Sequence, residues 1–135
     1  PHRVVGTVVH GNHRGRALGF PTANLAADAL GLVPLEGVYA GWLTRLDLGE
    51  DEPDRTMPAA ISVGTNPTFE TRDRRTVEAY VLDRDDLELY DETVMVEFTA
   101  HIRPTLRFDS VEELTTAMAE DVERCRELLT NIVPS

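Results

Sequence analysis

Five stretches of this chain are rich in β-branched, aromatic and other apolar residues at short spacing: Arg3–His10, Gly37–Leu46, Met57–Gly64, Thr76–Leu82 and Thr93–Arg103. Such stretches bounded by turn residues predict strands. In Thr76–Leu82 the alternation is clean, with Val77, Ala79 and Val81 on one face and Glu78, Tyr80 and Leu82 on the other. In Thr93–Arg103, Val94, Val96, Phe98, Ala100 and Ile102 form one continuous apolar face, opposite Met95, Glu97, Thr99 and His101. Pro58 predicts a sheet edge at the start of its strand, because proline has no N–H for a ladder.

After Ser110 the period changes. Val111, Leu114, Met118, Val122, Cys125 and Leu129 recur at steps of three and four, the stripe of an amphipathic helix. Ser110 with Glu113 forms a capping box at its start. Leaving the stripe in water would forfeit roughly 1.5–3 kcal/mol for each large apolar side chain, so the helix is expected to dock on the sheet. Between the strands lie a loop at 25–34 with one helical turn at Ala26–Leu30, and an acidic hairpin connection at Gly49–Asp54. A turn at Thr65–Thr68 and an acidic turn region at Asp83–Glu92 complete the connections. Strands joined by hairpin-length loops, with no alternation of strand and helix, argue for an antiparallel sheet and against a parallel one. Five or six strands in 135 residues close most naturally as a small barrel, in a single domain.

Charge and composition narrow the function. The net charge of −11 falls entirely after residue 50, and an acidic body of this kind repels a nucleic-acid backbone. No apolar run reaches the roughly 18 residues that span a membrane, and no basic-then-apolar leader is expected. The single cysteine, Cys125, gives no sign of an oxidising compartment, so cytoplasm is expected. All 13 basic residues are arginine. Without lysine there is no Walker-type phosphate loop and no Schiff-base chemistry, so phosphate chemistry would fall to backbone amides, arginine and metal. The four histidines lack metal-ligand spacing. The acidic residues at 83–92 lack the EF-hand pattern and read as a solvated turn.

Two places carry candidate chemistry. In Gly15-Arg16-Ala17-Leu18-Gly19-Phe20-Pro21-Thr22-Ala23-Asn24, Pro21 pushes Phe20 to extended geometry. Thr22 and Asn24, two apart, then present their oxygens on one side. This is either a turn with local hydrogen bonds or a place for a metal-bound polyphosphate, with Arg14 and Arg16 near phosphate oxygens. Glu78 is either a solvent-face strand residue or a general base in a partly apolar cleft, beside Tyr80 and Leu82.

The segments Gly19–Asn24, Gly64–Phe69, Thr76–Tyr80, Leu89-Tyr90 and Arg103–Phe108, in that order, resemble the riboflavin kinase family, and most closely the kinase module of bifunctional bacterial FAD synthetases. The resemblance runs from Val4 to about Leu129. It implies a six-stranded antiparallel Greek-key β-barrel with a C-terminal α-helix, transferring phosphate from ATP to riboflavin to give FMN and ADP. It implies Mg²⁺, held with phosphate oxygens by Thr22 and Asn24, and Glu78 as the base for the ribityl 5′-hydroxyl. Gly11, Gly15, Gly19, Phe20, Pro21, Asn66 and Arg103 would complete the substrate site. Residues 1–135 would be one riboflavin kinase domain, with an FMN adenylyltransferase domain preceding it in the full-length protein. Asp91 stands where many members have glycine; aspartate tolerates the left-handed geometry, so a modest effect is expected. The reading from another class is a flavin- or nucleotide-binding barrel without turnover.

Overall fold

The computed structural model describes residues 2–9, 23–25, 30–31, 34–66, 74–84, 89–104 and 109–130. Its elements are β1 (His2–Val9), β2 (Ala23–Leu25), β3 (Leu30–Gly31), β4 (Gly37–Arg45), β5 (Thr56–Asn66), β6 (Arg74–Val81), β7 (Thr93–Arg103) and α1 (Val111–Leu129). Every strand pairing is antiparallel. Six strands close into a ring in the order β1-β2-β6-β5-β4-β7, and the two-residue β3 adds to β1. Strands β4, β5 and β6 follow one another while β7 returns beside β4, which is the Greek-key order. The expected six-stranded barrel with a C-terminal helix is therefore the fold.

Alternation decides what fills the barrel. Met57, Ala59, Ile61 and Val63 of β5 and Val77, Ala79 and Val81 of β6 are buried inside, with Val4, Val8 and Leu43. Pro58, Ala60, Ser62 and Gly64, and Thr76, Glu78 and Tyr80, consequently form the outer wall. Pro58 is not at a sheet edge: β5 lies between β4 and β6. The proline is tolerated because the β5–β6 ladder ends one residue later, at Ala59 opposite Val81. The Pro58 carbonyl still accepts from Leu82 N–H at 3.0 Å.

Strand β7 departs from the single apolar face expected of it. Ala40 pairs with Ala100 but Gly41 pairs with Phe98, so Thr99 is an extra residue; Ile102 is a second between Tyr39–His101 and Val38–Arg103. Each bulge shifts the alternation by one. Val94, Val96 and Phe98 face the barrel interior, whereas Ala100 and Ile102 pack under the helix. His101 turns its ring to the edge of Tyr39, with centroids 5.1 Å apart. At the first bulge β4 and β7 come very close: a Cβ on Gly41 would lie 1.9 Å from the Glu97 carbonyl oxygen.

The helix covers one side of the barrel. Ser110 caps it, accepting from Glu113 N–H at 3.1 Å, while the Glu113 carboxylate accepts from Asp109 N–H, one residue before the cap. Only the C-terminal part of the stripe is fully buried: Val122, Cys125 and Leu129 sit on Ala40 and Leu82. Val111, in the first turn, is 57% exposed. Burial pushes the Cys125 thiol up to about 12, with Asp121 adding to the shift, so it behaves as the small core hydrophobe its spacing predicts. Arg103, at the end of β7, grips buried Asp121 of α1 through two hydrogen bonds of 2.8 and 2.7 Å.

Other expectations shift at their ends. Ala23–Leu25 and Leu30–Gly31 are short strands, so Leu25 and Leu30 belong to the sheet and not to a loop or helical turn. Thr65 and Asn66 continue β5 instead of opening a turn. Asp91 has φ 68°, the left-handed geometry that aspartate tolerates, and its N–H donates to Val8 O at 2.9 Å. The acidic connection at 49–54 is a largely exposed hairpin loop, as read from its composition.

The Gly41 contact yields a stability prediction. Gly41→Ala forces a methyl group against a backbone oxygen that cannot move without opening the β4–β7 ladder. It should destabilise the fold by about 1–3 kcal/mol in urea unfolding, and a wild-type midpoint would contradict the close approach.

Candidate active site on the outer wall

Barrel closure brings together residues far apart in the sequence. Asn24 of β2 pairs with Glu78 of β6, and Glu78 pairs in turn with Ser62 of β5. The row continues through Val38 of β4 to Arg103 of β7, and on the other side Asn24 pairs with Val9 of β1. Directly opposed residues in antiparallel strands point to the same face, with Cβ atoms about 4.5–5.5 Å apart. The neighbours of Asn24 and Glu78 along their own strands, Ala23, Leu25, Val77 and Ala79, are buried in the barrel. Asn24 and Glu78 thus stand side by side on the outer wall.

Local chemistry makes Glu78 unusual. Its carboxylate is half-buried, two residues from Tyr80, which packs on the apolar cluster under α1. Burial pushes the Glu78 carboxyl up from its ordinary value, and no charge among the described residues offsets that shift. A carboxylate held this way at the edge of an apolar patch is a stronger proton acceptor than one in water. Asn24 beside it offers a neutral amide and already has an interaction partner.

The other expected site residues fall in three groups. Gly11, Gly15, Gly19, Phe20, Pro21 and Thr22 lie outside the described residues. Asn66 pairs with Arg74 at the end of the β5–β6 ladder, four residues, or about 13 Å, along β5 from Ser62. Arg103 lies three strand spacings, about 14 Å, from Glu78. Its guanidinium is committed to Asp121 and to the Pro104 carbonyl, the latter at 3.1 Å. A buried carboxylate holds the fork bidentately, so Arg103 anchors β7 to α1. Ser62 was not singled out from the sequence. The alternation of β5 places it outward, but only the register with β6 sets it beside Glu78.

A magnesium ion fits the donor set as a partner of a bound polyphosphate. Asn24 supplies one neutral hard oxygen, and among the described residues no cluster of three or more His, Cys, Asp or Glu could cage a metal alone. No helix of the described residues is long and apolar enough to cross a membrane.

The structure is a closed barrel that carries a raised carboxylate and an amide side by side on its outer wall, beside a docked helix. The Flavokinase family model, riboflavin kinase, matches residues 1–129, and the chain belongs to that family. It is 34% identical over 126 residues to a bifunctional riboflavin kinase/FMN adenylyltransferase of Listeria monocytogenes, covering 93% of this chain and 38% of that one. A solved riboflavin kinase of Trypanosoma brucei superposes with a TM-score of 0.64 at 27% identity, over 96% of this chain and 78% of that one. A solved Streptococcus pneumoniae protein described as a macrolide-efflux protein is also similar, with a TM-score of 0.77 and 36% identity. It is matched over 92% of this chain and 38% of that one. The chain spans about two fifths of the length of the curated relatives it matches.

The raised Glu78 carboxyl has a consequence for stability. The folded chain holds the Glu78 proton more tightly than the unfolded chain. As pH rises through the ordinary carboxylate range, the unfolded state therefore loses its proton first and stability falls. Glu78→Gln removes that penalty. Its unfolding midpoint should exceed wild type near pH 7, with the gain shrinking as pH is lowered toward about 4; no gain near pH 7 would contradict the burial.

Proposed function

We propose that this chain is a riboflavin kinase that transfers the γ-phosphoryl group of ATP to the 5′-hydroxyl of riboflavin, giving FMN and ADP. The observation that carries the reading is the register pair Asn24–Glu78, which puts a raised carboxylate and an amide on one patch of the outer wall. Family membership supplies the substrate class.

Phosphoryl transfer asks a protein mainly for positioning and charge stabilisation. Glu78 accepts the proton of the ribityl 5′-hydroxyl as that oxygen bonds to the γ-phosphorus and the bond to the ADP oxygen breaks. Asn24, one strand away, holds the phosphate side of the reacting pair in place and, with Thr22, would hold Mg²⁺. That ion, when bound with ATP, neutralises charge on the phosphates. Gly11, Gly15 and Gly19 would offer backbone amides to the phosphates in a chain without lysine, and Phe20 and Pro21, which precede Thr22 in the sequence, would join them in the site. Asn66, at the far end of the β5–β6 ladder, would complete the substrate site. Arg103 contributes through Asp121, fixing where the chain leaves β7 for α1.

Residues 1–135 act in this reading as one kinase module in the cytoplasm. The curated relatives, named for two activities and far longer than this chain, support an FMN adenylyltransferase domain joined to it in the full-length protein.

Incubating the chain with riboflavin, ATP and Mg²⁺ should produce FMN and ADP in equal amounts. Glu78→Gln should bind both substrates and lose turnover by about 10²–10⁴-fold, the usual worth of a general base. Riboflavin bound without FMN in wild type would favour the non-catalytic barrel; near-normal turnover in Glu78→Gln would remove Glu78 from the role.

A further inference from the structure

Four positions surround Glu78 on the outer wall: Asn24 and Ser62 across the neighbouring strands, and Thr76 and Tyr80 two residues away along β6. Asn24 and Tyr80 each have an interaction partner, and the Thr76 hydroxyl donates to the Gly64 carbonyl at 3.4 Å. Ser62 differs from these three. It is exposed, and its hydroxyl makes no hydrogen bond among the described residues. The outward positions on either side of it along β5 are Ala60, which packs under α1, and Gly64, so β5 itself raises no large side chain beside Ser62.

This asymmetry orients an acceptor. A hydroxyl brought to the Glu78 carboxylate has Asn24 on one side and Ser62 on the other. The Asn24 side belongs to the phosphate donor in the proposed reaction, so the remainder of the acceptor leaves across β5, over Ser62. Strands lie about 4.8 Å apart, and a chain extending from Glu78 across that gap brings its next hydroxyls onto the serine. A serine hydroxyl both donates and accepts, which suits a polyol.

We infer that Ser62 contacts the acceptor and sets specificity for it: its hydroxyl hydrogen-bonds the hydroxylated chain that carries the reacting oxygen. The inference rests on the kinase reading and extends it to the recognition of the ribityl chain. Ser62 lies at the surface, outside both apolar clusters, so its truncation leaves the fold intact.

The test uses the intact chain, Ser62→Ala, ATP and two acceptors: riboflavin, and a flavin whose side chain is a pentyl chain with only the terminal hydroxyl. Ser62→Ala should raise the riboflavin KM about 3–10-fold, the weight of one exposed hydrogen bond. It should leave kcat within about twofold, the ATP KM and the melting midpoint unchanged, and kcat/KM for the pentyl flavin equal in both proteins. An unchanged riboflavin KM, or an equal penalty on both acceptors, overturns the inference. So does a shift in the acid limb of the pH–rate profile, which would place the Ser62 hydroxyl on Glu78 instead. A wild-type chain that makes no FMN overturns the kinase reading. The same comparison is then made on flavin binding by fluorescence quenching, where equal riboflavin affinity in wild type and Ser62→Ala overturns the Ser62 contact separately.

Discussion

The whole arrangement depends on three residues of backbone. Strand β2, only Ala23–Leu25, pairs with β1 through Val8–Leu25 and Val9–Asn24 and with β6 through Ala23–Ala79 and Asn24–Glu78. Without it the sheet would be open, with β1 and β6 exposing unpaired N–H and C=O groups. With it the ring closes, Val4, Val8, Ile61 and Val63 become an enclosed core, and Asn24 arrives beside Glu78. One short ladder thus serves both fold and chemistry. The central residue of β2 is the candidate ligand, and its two flanking residues, Ala23 and Leu25, are buried.

Two cores then divide the labour. The inner one holds the barrel; the outer one, formed by Ala40, Leu82, Val122, Cys125 and Leu129, holds the helix against its wall. Glu78 sits at the border of the outer core, and that position explains its raised carboxyl: apolar cover reaches it through Tyr80, and burial is the cause of the shift among the described residues. The Arg103–Asp121 pair fixes the helix to the end of β7. Breaking such a largely buried pair from one side costs more than the pair contributes, because it strands the remaining charge.

Much of this was legible in the residues. Runs of β-branched and apolar residues marked the five long strands, and the switch to steps of three and four marked the helix with its Ser110 cap. Family motifs pointed to Asn24 and Glu78 individually. What local pattern does not carry is register between strands distant in the chain: nothing in residues 23–25 says that they pair with 78–79, and nothing in β5 says that Ser62 lies beside Glu78. The bulges at Thr99 and Ile102 were equally silent, since alternation runs unbroken through Val94–Ile102 in the sequence while the backbone slips by one. The family resemblance placed Arg103 in the substrate site. Its partner Asp121 lies 18 residues away on a helix face, a pairing that only the docked helix reveals.

The central claim is that Asn24 and Glu78 work as one unit because β2 sets them side by side. A double-mutant cycle on kcat/KM for riboflavin phosphorylation, with Asn24→Ala, Glu78→Gln and the double variant, tests it most directly. Residues that act on the same reacting group lose their effects non-additively. The double variant should therefore fall short of the product of the two single losses by about tenfold or more. Losses that simply multiply would contradict the account.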